Sequence, residues 1–205
     1  EVGVNDVLIK VTKAAICGTD LHMYKWDEWS QSHCVPPYTM GHEFVGVVAE
    51  VGPGVRNFKV GERVTAEGHI VCGYCRNCRR GMGHVCENTI SVGIMGKDGC
   101  FAEYVTIPES NVVRVRPEIP DDFAAIMDPF GNATHTALAF PLLGEDVLIT
   151  GAGLIGTMAA GICRYAGAKN IVVTDLNEQR LEIAKKMGAT ITVNGSKGET
   201  VEGAM

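Results

Sequence analysis

No uncharged stretch of the 205 residues reaches the ~20 apolar residues that a helix needs to cross a bilayer. The candidate, Val147 to Cys163, stops at seventeen and contains a glycine-rich turn, so it reads as a buried strand, a turn and a helix. Basic residues are also scarce: 18 Lys and Arg stand against 24 Asp and Glu, a formal charge of −6. That balance argues against a general nucleic-acid binder, because neutralising phosphates requires clustered cations. Glu1 to Asp6 lack the basic residues that lead into the apolar core of a signal peptide, so a cytoplasmic location is expected. Internal repeats and low-complexity segments are missing as well. What remains, 46% hydrophobic and 20% charged residues, excludes disordered, collagen-like and coiled-coil chains and suits one or two globular domains.

Eight cysteines in a reducing compartment read first as metal ligands or small buried residues. Cys72, Cys75, Cys78 and Cys86 follow the spacing C-x2-C-x2-C-x7-C in a stretch rich in Gly, Arg and Asn. Four thiolates on one short loop can close a tetrahedral shell around Zn2+, and a loop with so little apolar content needs that staple. An iron–sulfur cluster is the rival, but the last spacing is seven rather than three and no Pro follows Cys86. A closed four-Cys shell leaves no open position, so the site is structural. Cys34, Cys100 and Cys163 have no ligand spacing and read as buried thiols, and the sequons at Asn132 and Asn194 as chance matches.

Short β-like segments occupy Val7 to Val11, Phe44 to Val51, Arg63 to Glu67, Phe101 to Ile107 and Val112 to Val115, an antiparallel barrel or sandwich. Helical pieces are expected on either side of a break at Asp128-Pro129-Phe130-Gly131. A βαβ unit follows: strand Val147 to Thr150, helix Leu154 to Tyr165, strand Ile171 to Asp175, helix Glu178 to Met187 and a strand at Thr190 to Val193. The division is placed at 145/146, giving an α/β chain with domains 1–145 and 146–205.

Gly151-Ala152-Gly153-Leu154-Ile155-Gly156 lies between a predicted strand and a predicted helix, the context that gives G-x-G-x-x-G meaning. Gly151 permits the tight turn, Gly153 the approach of a pyrophosphate and Gly156 close helix–strand packing. Nineteen residues beyond Gly156, Asp175 ends the next predicted strand, where a carboxylate can accept from ribose hydroxyls and repel a 2′-phosphate. NAD is therefore favoured over NADP, although the nearby guanidinium of Arg180 could accept such a phosphate. Two further stretches, Cys17-Gly18-Thr19-Asp20-Leu21-His22 and Gly41-His42-Glu43, hold the donor types of a catalytic zinc with an open position. Zinc can polarise an alcohol so that hydride passes to a nicotinamide, and the hydroxyl proton needs a route that Thr19 and His22 could supply.

These motifs, with Gly61-Glu62-Arg63-Val64, resemble the zinc-dependent medium-chain dehydrogenase/reductase family over nearly the whole chain. Longer stretches narrow the resemblance to a branch acting on L-threonine: Tyr24 to Gln31, Glu67 to Cys72, Cys100 to Tyr104 and Asp128 to Ala133. The resemblance implies an N-terminal GroES-like β-rich catalytic domain with a zinc lobe, followed by the first half of a Rossmann domain. It implies two Zn2+ per chain, one held by Cys17, His42 and Glu43 and one by Cys72, Cys75, Cys78 and Cys86. Thr19 and His22 become the proton relay, and Asp128 an acidic residue beside the metal, either an outer ligand or part of the proton path. Ile155, Asp175 and Arg180 become cofactor contacts. The implied reaction is oxidation of the L-threonine hydroxyl by NAD+ to 2-amino-3-oxobutanoate, in a homo-oligomer, a tetramer by preference. A polyol or secondary-alcohol dehydrogenase of the same family and a non-catalytic zinc-stapled module are the alternatives. The 60 residues from Asp146 to Met205 can build only one βαβαβ half, so the chain is expected to be part of a longer enzyme, inactive or nearly so alone.

Overall fold

Two consecutive patterns of burial, period two and then period 3.6, divide the molecule. In the computed structural model, which describes residues 1–199, the first pattern is clearest in strand β1 (Asp6–Ala15). Val7 and Ile9 are fully buried while Asp6, Leu8 and Lys10 lie on the other face. β1 pairs antiparallel with β2 (Glu43–Val51) on one side and β7 (Tyr104–Pro108) on the other. β3 (Arg63–Ala66) and β8 (Val112–Arg114) complete a five-stranded antiparallel sheet of order β7-β1-β2-β3-β8. Its inner face carries Val7, Ile9, Phe44, Val48, Val64, Val105 and Ile107. Gly46 is required where β2 crosses β1, because a Cβ there would stand 2.4 Å from the Lys10 carbonyl oxygen.

Local signals that the period-two reading does not detect add two helices between β1 and β2: α1 (Gly18–Lys25) and α2 (Glu28–His33). Asp27 caps α2 by accepting the Ser30 N–H at 3.0 Å. A second, three-stranded sheet of β4 (His69–Ile70), β5 (Ile90–Val92) and β6 (Gly96–Lys97) frames the cysteine-rich loop, which holds the single turn α3 (Arg76–Arg79). Helices α4 (Asp121–Ala124) and α5 (Met127–Ala137) follow the large sheet. The break expected at Asp128-Pro129-Phe130-Gly131 is absent, since α5 runs through it. Pro129 falls in the first turn, where a missing N–H leaves no helical bond unmade.

The second pattern is a βαβαβ unit, β9 (Asp146–Thr150), α6 (Leu154–Tyr165), β10 (Asn170–Asp175), α7 (Glu178–Met187) and β11 (Ile191–Asn194). The strands are parallel in the order β11-β10-β9, with Ile171 and Val173 of the central strand fully buried. α6 and α7 supply Ala160, Cys163, Leu181 and Ala184 to its core. The chain separates into two compact units, Glu1–Asp128 and Pro129–Met205, so the junction falls inside α5, upstream of the 145/146 division read from the sequence. Residues 200–205 of the expected second domain lie outside the described residues. Among the described residues no helix is long and apolar enough to cross a membrane.

Truncating Ile107, fully buried in the sheet core, to Ala removes apolar contact and leaves a cavity, so Ile107→Ala should lower unfolding stability by about 2–5 kcal/mol. Denaturant unfolding followed by circular dichroism measures this; a loss below ~1 kcal/mol would contradict the packing described.

Candidate metal centres and dinucleotide-binding turn

Gly41, His42 and Glu43 stand where a loop becomes β2, and the loop is fixed by close backbone packing. Gly41 has φ +95°, and a Cβ on it would lie 2.5 Å from the Phe101 ring. Its carbonyl accepts the Cys100 N–H at 2.8 Å, and Gly93 and Gly99 approach it so closely that neither could carry a side chain. Downstream, Thr65 Oγ1 donates to the Phe44 carbonyl at 2.6 Å. This clamp turns the side chains of His42 and Glu43 into the interior, where they are 7% and 4% exposed. Cys17, the residue before α1, joins them. One ligand atom from each of Cys17, His42 and Glu43 lies within 4.8 Å of the others.

The electrostatics of this cluster call for a cation. Burial raises the Cys17 thiol above its ordinary value, and the Glu43 carboxylate adds to the rise. Glu43 is itself raised, first by burial and further by the charges of Asp128 and Asp20. His42 Nδ1 and Asp20 Oδ1 are buried without a hydrogen-bond partner and face each other at 3.8 Å, too far for a direct bond. Asp20 Oδ2 accepts the Cys17 N–H at 2.8 Å, so this carboxylate closes the first turn of α1 beside His42. Asp128, raised mainly by burial, feels the charges of His42, Glu67 and His69. His69 Nδ1 meets Glu67 Oε1 at 2.6 Å, a contact that lowers the carboxyl and, against burial, raises the imidazole. The sequence alone assigns no role to Asp20, Glu67 or His69. Asp20 lies inside the Cys17 motif, but the pair around Gly68 gives no periodic signal that would place it near His42.

On α1, Thr19 Oγ1 lies 3.7 Å from Cys17 Sγ, and His22 stands one turn further on. The His22 ring is held through Nδ1 by the carboxylate of Asp27. That carboxyl lies at about 2, held down first by the Ser30 N–H and then by His22.

The four-Cys lobe is organised around sulfur. The N–H groups of Cys72, Cys75 and Cys78 each point at a cysteine sulfur at 3.4 Å, and the Asn88 N–H points at Cys86 Sγ at 3.3 Å. The four Sγ atoms lie within 4.8 Å of one another. Backbone donors from Tyr74 and Cys75, opposing desolvation, bring Cys72 down to about 6, whereas desolvation and the neighbouring sulfurs push Cys78 up to about 12. Four ionised thiolates at such distances repel strongly without a divalent ion between them. The donor set and its N–H supports therefore fit a structural zinc.

In the second unit Gly151 has φ +95°, and the Cβ positions of both Gly151 and Gly153, the residue before α6, face open space. Gly156 cannot carry a Cβ, which would stand 1.9 Å from the Gly151 carbonyl oxygen. The Asp175 carboxylate accepts the N–H groups of Ala152 at 2.7 Å and Asn177 at 2.8 Å, which hold it below the usual range. Gly151, Asp175, Asn177 and Arg180 line an open cavity of about 640 Å3. Ile155 lies half-exposed in the first turn of α6 and is not among its lining residues.

Residues 3–118 match the family profile described as alcohol dehydrogenase GroES-like domain, and residues 155–205 that described as zinc-binding dehydrogenase. The chain belongs to the zinc-dependent medium-chain dehydrogenase/reductase family. Among curated relatives it is 61% identical over 195 residues to the L-threonine 3-dehydrogenase of Marinomonas sp. (strain MWYL1), covering 95% of this chain. It spans 57% of that relative's length. Among solved structures, a protein of Sinorhizobium meliloti 1021 assigned as a zinc-binding dehydrogenase and bound to NADP superposes with a TM-score of 0.89. It is 34% identical over 98% of this chain and 58% of its own. A short chain alcohol dehydrogenase of E. coli CFT073 complexed with NADH gives a TM-score of 0.88 at 33% identity, over 97% of this chain and 58% of its own.

Two outcomes follow. The Glu67–His69 contact contributes stability where the carboxyl is ionised and the imidazole protonated. It fades as pH falls through the lowered pKa of Glu67 or rises through that of His69, which lies above 6.5. An NMR titration should place the His69 midpoint above 6.5 and bring it down in Glu67→Gln; an unmoved midpoint would contradict the contact. Gly156→Ala should destabilise the second unit by roughly 1–3 kcal/mol through the clash at Gly151, read as a lowered thermal midpoint.

Proposed function

We propose that the protein carrying this chain oxidises the L-threonine hydroxyl to 2-amino-3-oxobutanoate with NAD+, holding two zinc ions per chain, as a cytoplasmic homo-oligomer, a tetramer by preference. The observation that carries this reading is the convergence of Cys17, His42 and Glu43 to within 4.8 Å, two of them buried. The choice of L-threonine rests on the relative that is 61% identical. We keep residues 1–145 as the catalytic domain and 146–205 as the start of the cofactor domain.

When bound, zinc supplies Lewis-acid polarisation of the substrate oxygen and NAD+ the hydride acceptor. Cys17, His42 and Glu43 hold the catalytic ion, and the Asp20 carboxylate facing His42 Nδ1 leaves the other ring nitrogen for it. Cys72, Cys75, Cys78 and Cys86 hold the structural ion and fix the lobe. Thr19 and His22 carry the hydroxyl proton outward along α1 to solvent, since His22 is exposed and Cys17 beside Thr19 is not. Asp128, raised mainly by burial and feeling the charge of His42, stands beside the metal as an outer ligand or in the proton path. Gly151, Gly153 and Gly156 let the backbone and the N-terminus of α6 approach a pyrophosphate, with Ile155 beside it. Asp175, fixed by two N–H groups on the wall of the cavity, accepts the ribose hydroxyls. Its charge favours NAD over NADP, with Arg180 as its neighbour.

Metal analysis should find about two zinc per chain, and Cys17→Ser should lose one of them and all measurable turnover while staying folded. The full-length protein bearing this sequence should form NADH with L-threonine. Activity with sorbitol or butanediol but not L-threonine would assign it to another substrate of the family, and one zinc per chain without activity to a non-catalytic module.

A further inference from the structure

The segment Tyr24 to Gln31 forms no part of either metal site, yet it folds tightly against His22. α1 ends at Trp26, which has φ +52° and whose N–H caps the carbonyls of His22 and Met23. This left-handed turn brings the carboxylate of the next residue, Asp27, back onto the His22 ring, with Oδ2 against Nδ1. Oδ1 is engaged elsewhere, accepting from both the N–H and the hydroxyl of Ser30 at 3.0 Å. Ser30 is fully buried, so the carboxylate that meets the exposed imidazole is anchored in the body of the unit. Trp29 presents an edge contact to the His22 ring at 6.3 Å and is itself stacked on His33 at 5.0 Å, so the imidazole is also confined laterally.

We propose that Asp27 is a positioning residue, whose Oδ2 accepts the Nδ1–H of His22 and thereby presents Nε2 as the proton acceptor of the relay. The inference rests on the reading of His22 as the relay residue. An ionised carboxylate only accepts, so a neutral imidazole in contact with it through Nδ1 carries its single hydrogen there and its lone pair on Nε2. The substrate proton then passes through the Thr19 hydroxyl to Nε2, and one proton leaves the exposed ring for water; no electron changes hands at this residue. Capping α2 requires one oxygen of residue 27, and the geometry gives the second to His22.

Asn at position 27 separates the two roles. It caps a helix as well as Asp does, but its amide can place an N–H donor where Oδ2 was and so favours the reversed tautomer, with hydrogen on Nε2. The test uses 15N ring spectra of His22 at a pH where the ring is neutral, together with steady-state kinetics on the full-length protein. The expected result is hydrogen on Nδ1 in the parent protein and on Nε2 in Asp27→Asn. kcat for L-threonine should drop by about 10–100-fold with KM little changed, and Asp27→Glu should recover part of it. Hydrogen on Nε2 in the parent protein overturns the proposal without any variant. So does an Asp27→Asn protein with the parent tautomer and kcat while His22→Ala is impaired. Full activity in His22→Ala would instead sink the relay reading, and tautomer reversal in Asp27→Asn would still uphold the hold of Asp27 on the ring.

Discussion

Crowded acidic donors gathered around one buried imidazole set the terms for the first unit. Burial raises both half-buried Cys17 and buried Glu43; the Glu43 carboxylate adds to the rise at Cys17, and Asp128 and Asp20 add to that at Glu43, with His42 beside them. A fold that gathers such groups away from water is disfavoured unless a cation neutralises them. The buried His42 Nδ1 faces Asp20 Oδ1 at 3.8 Å, which leaves the other ring nitrogen of His42 turned to the cluster. The four-Cys lobe repeats the demand in softer form, with sulfurs propped by backbone N–H groups rather than surrounded by apolar side chains. The two sites differ in what holds the ligands: a sheet and three close-packed glycines in one case, the sulfurs' own backbone in the other.

This difference explains why the two sites were unequally readable from sequence. The lobe is local, so a spacing of cysteines within fifteen residues was sufficient to identify a tetrahedral donor set. The other centre joins residue 17 to residues 42 and 43 across β1 and β2, and its surroundings reach residues 67, 69 and 128. Cys17, His42 and Glu43 stand in two separate stretches whose donor types suit zinc, and the resemblance joins them into one ligand set, whereas Glu67 and His69 cannot be grouped at all, because a two-residue strand leaves no periodic trace. The same holds for the elements. α6 and α7 were placed from their apolar stripes with the observed ends, and the long strands to within a few residues, whereas α1 and α2 were missed. Those helices are short and polar, and their caps, Cys17 and Asp27, have side chains with a second use.

Secondary structure and chemistry are coupled most closely along α1. Its first turn carries Cys17, Thr19 and Asp20; its last carries His22, and the turn that ends it delivers Asp27. A helix of eight residues thus spans the distance from the half-buried thiol of Cys17 to an exposed imidazole. Because Asp20 binds the N-terminal N–H and Asp27 meets the ring near the C-terminus, a carboxylate at each end fixes the helix in place. In the second unit one carboxylate, Asp175, links the glycine turn after β9 to the turn after β10 through two N–H groups, so the wall of the cavity is set by backbone bonds.

The glycines around residue 41 have a consequence for how such a site can change. Gly93 and Gly99 lie in one segment far along the chain from Gly41, and as alanine each of them would clash with the Gly41 backbone while Gly41 would clash with the Phe101 ring. Every single-nucleotide missense change in a glycine codon adds a side chain, so the three codons form one mutational target whose damage converges on His42 and Glu43. None of the three has a functional group, and a survey restricted to ligands and charged residues would pass over them. A variant with an intact set of donor residues but a lost metal centre is therefore a natural product of drift at these positions.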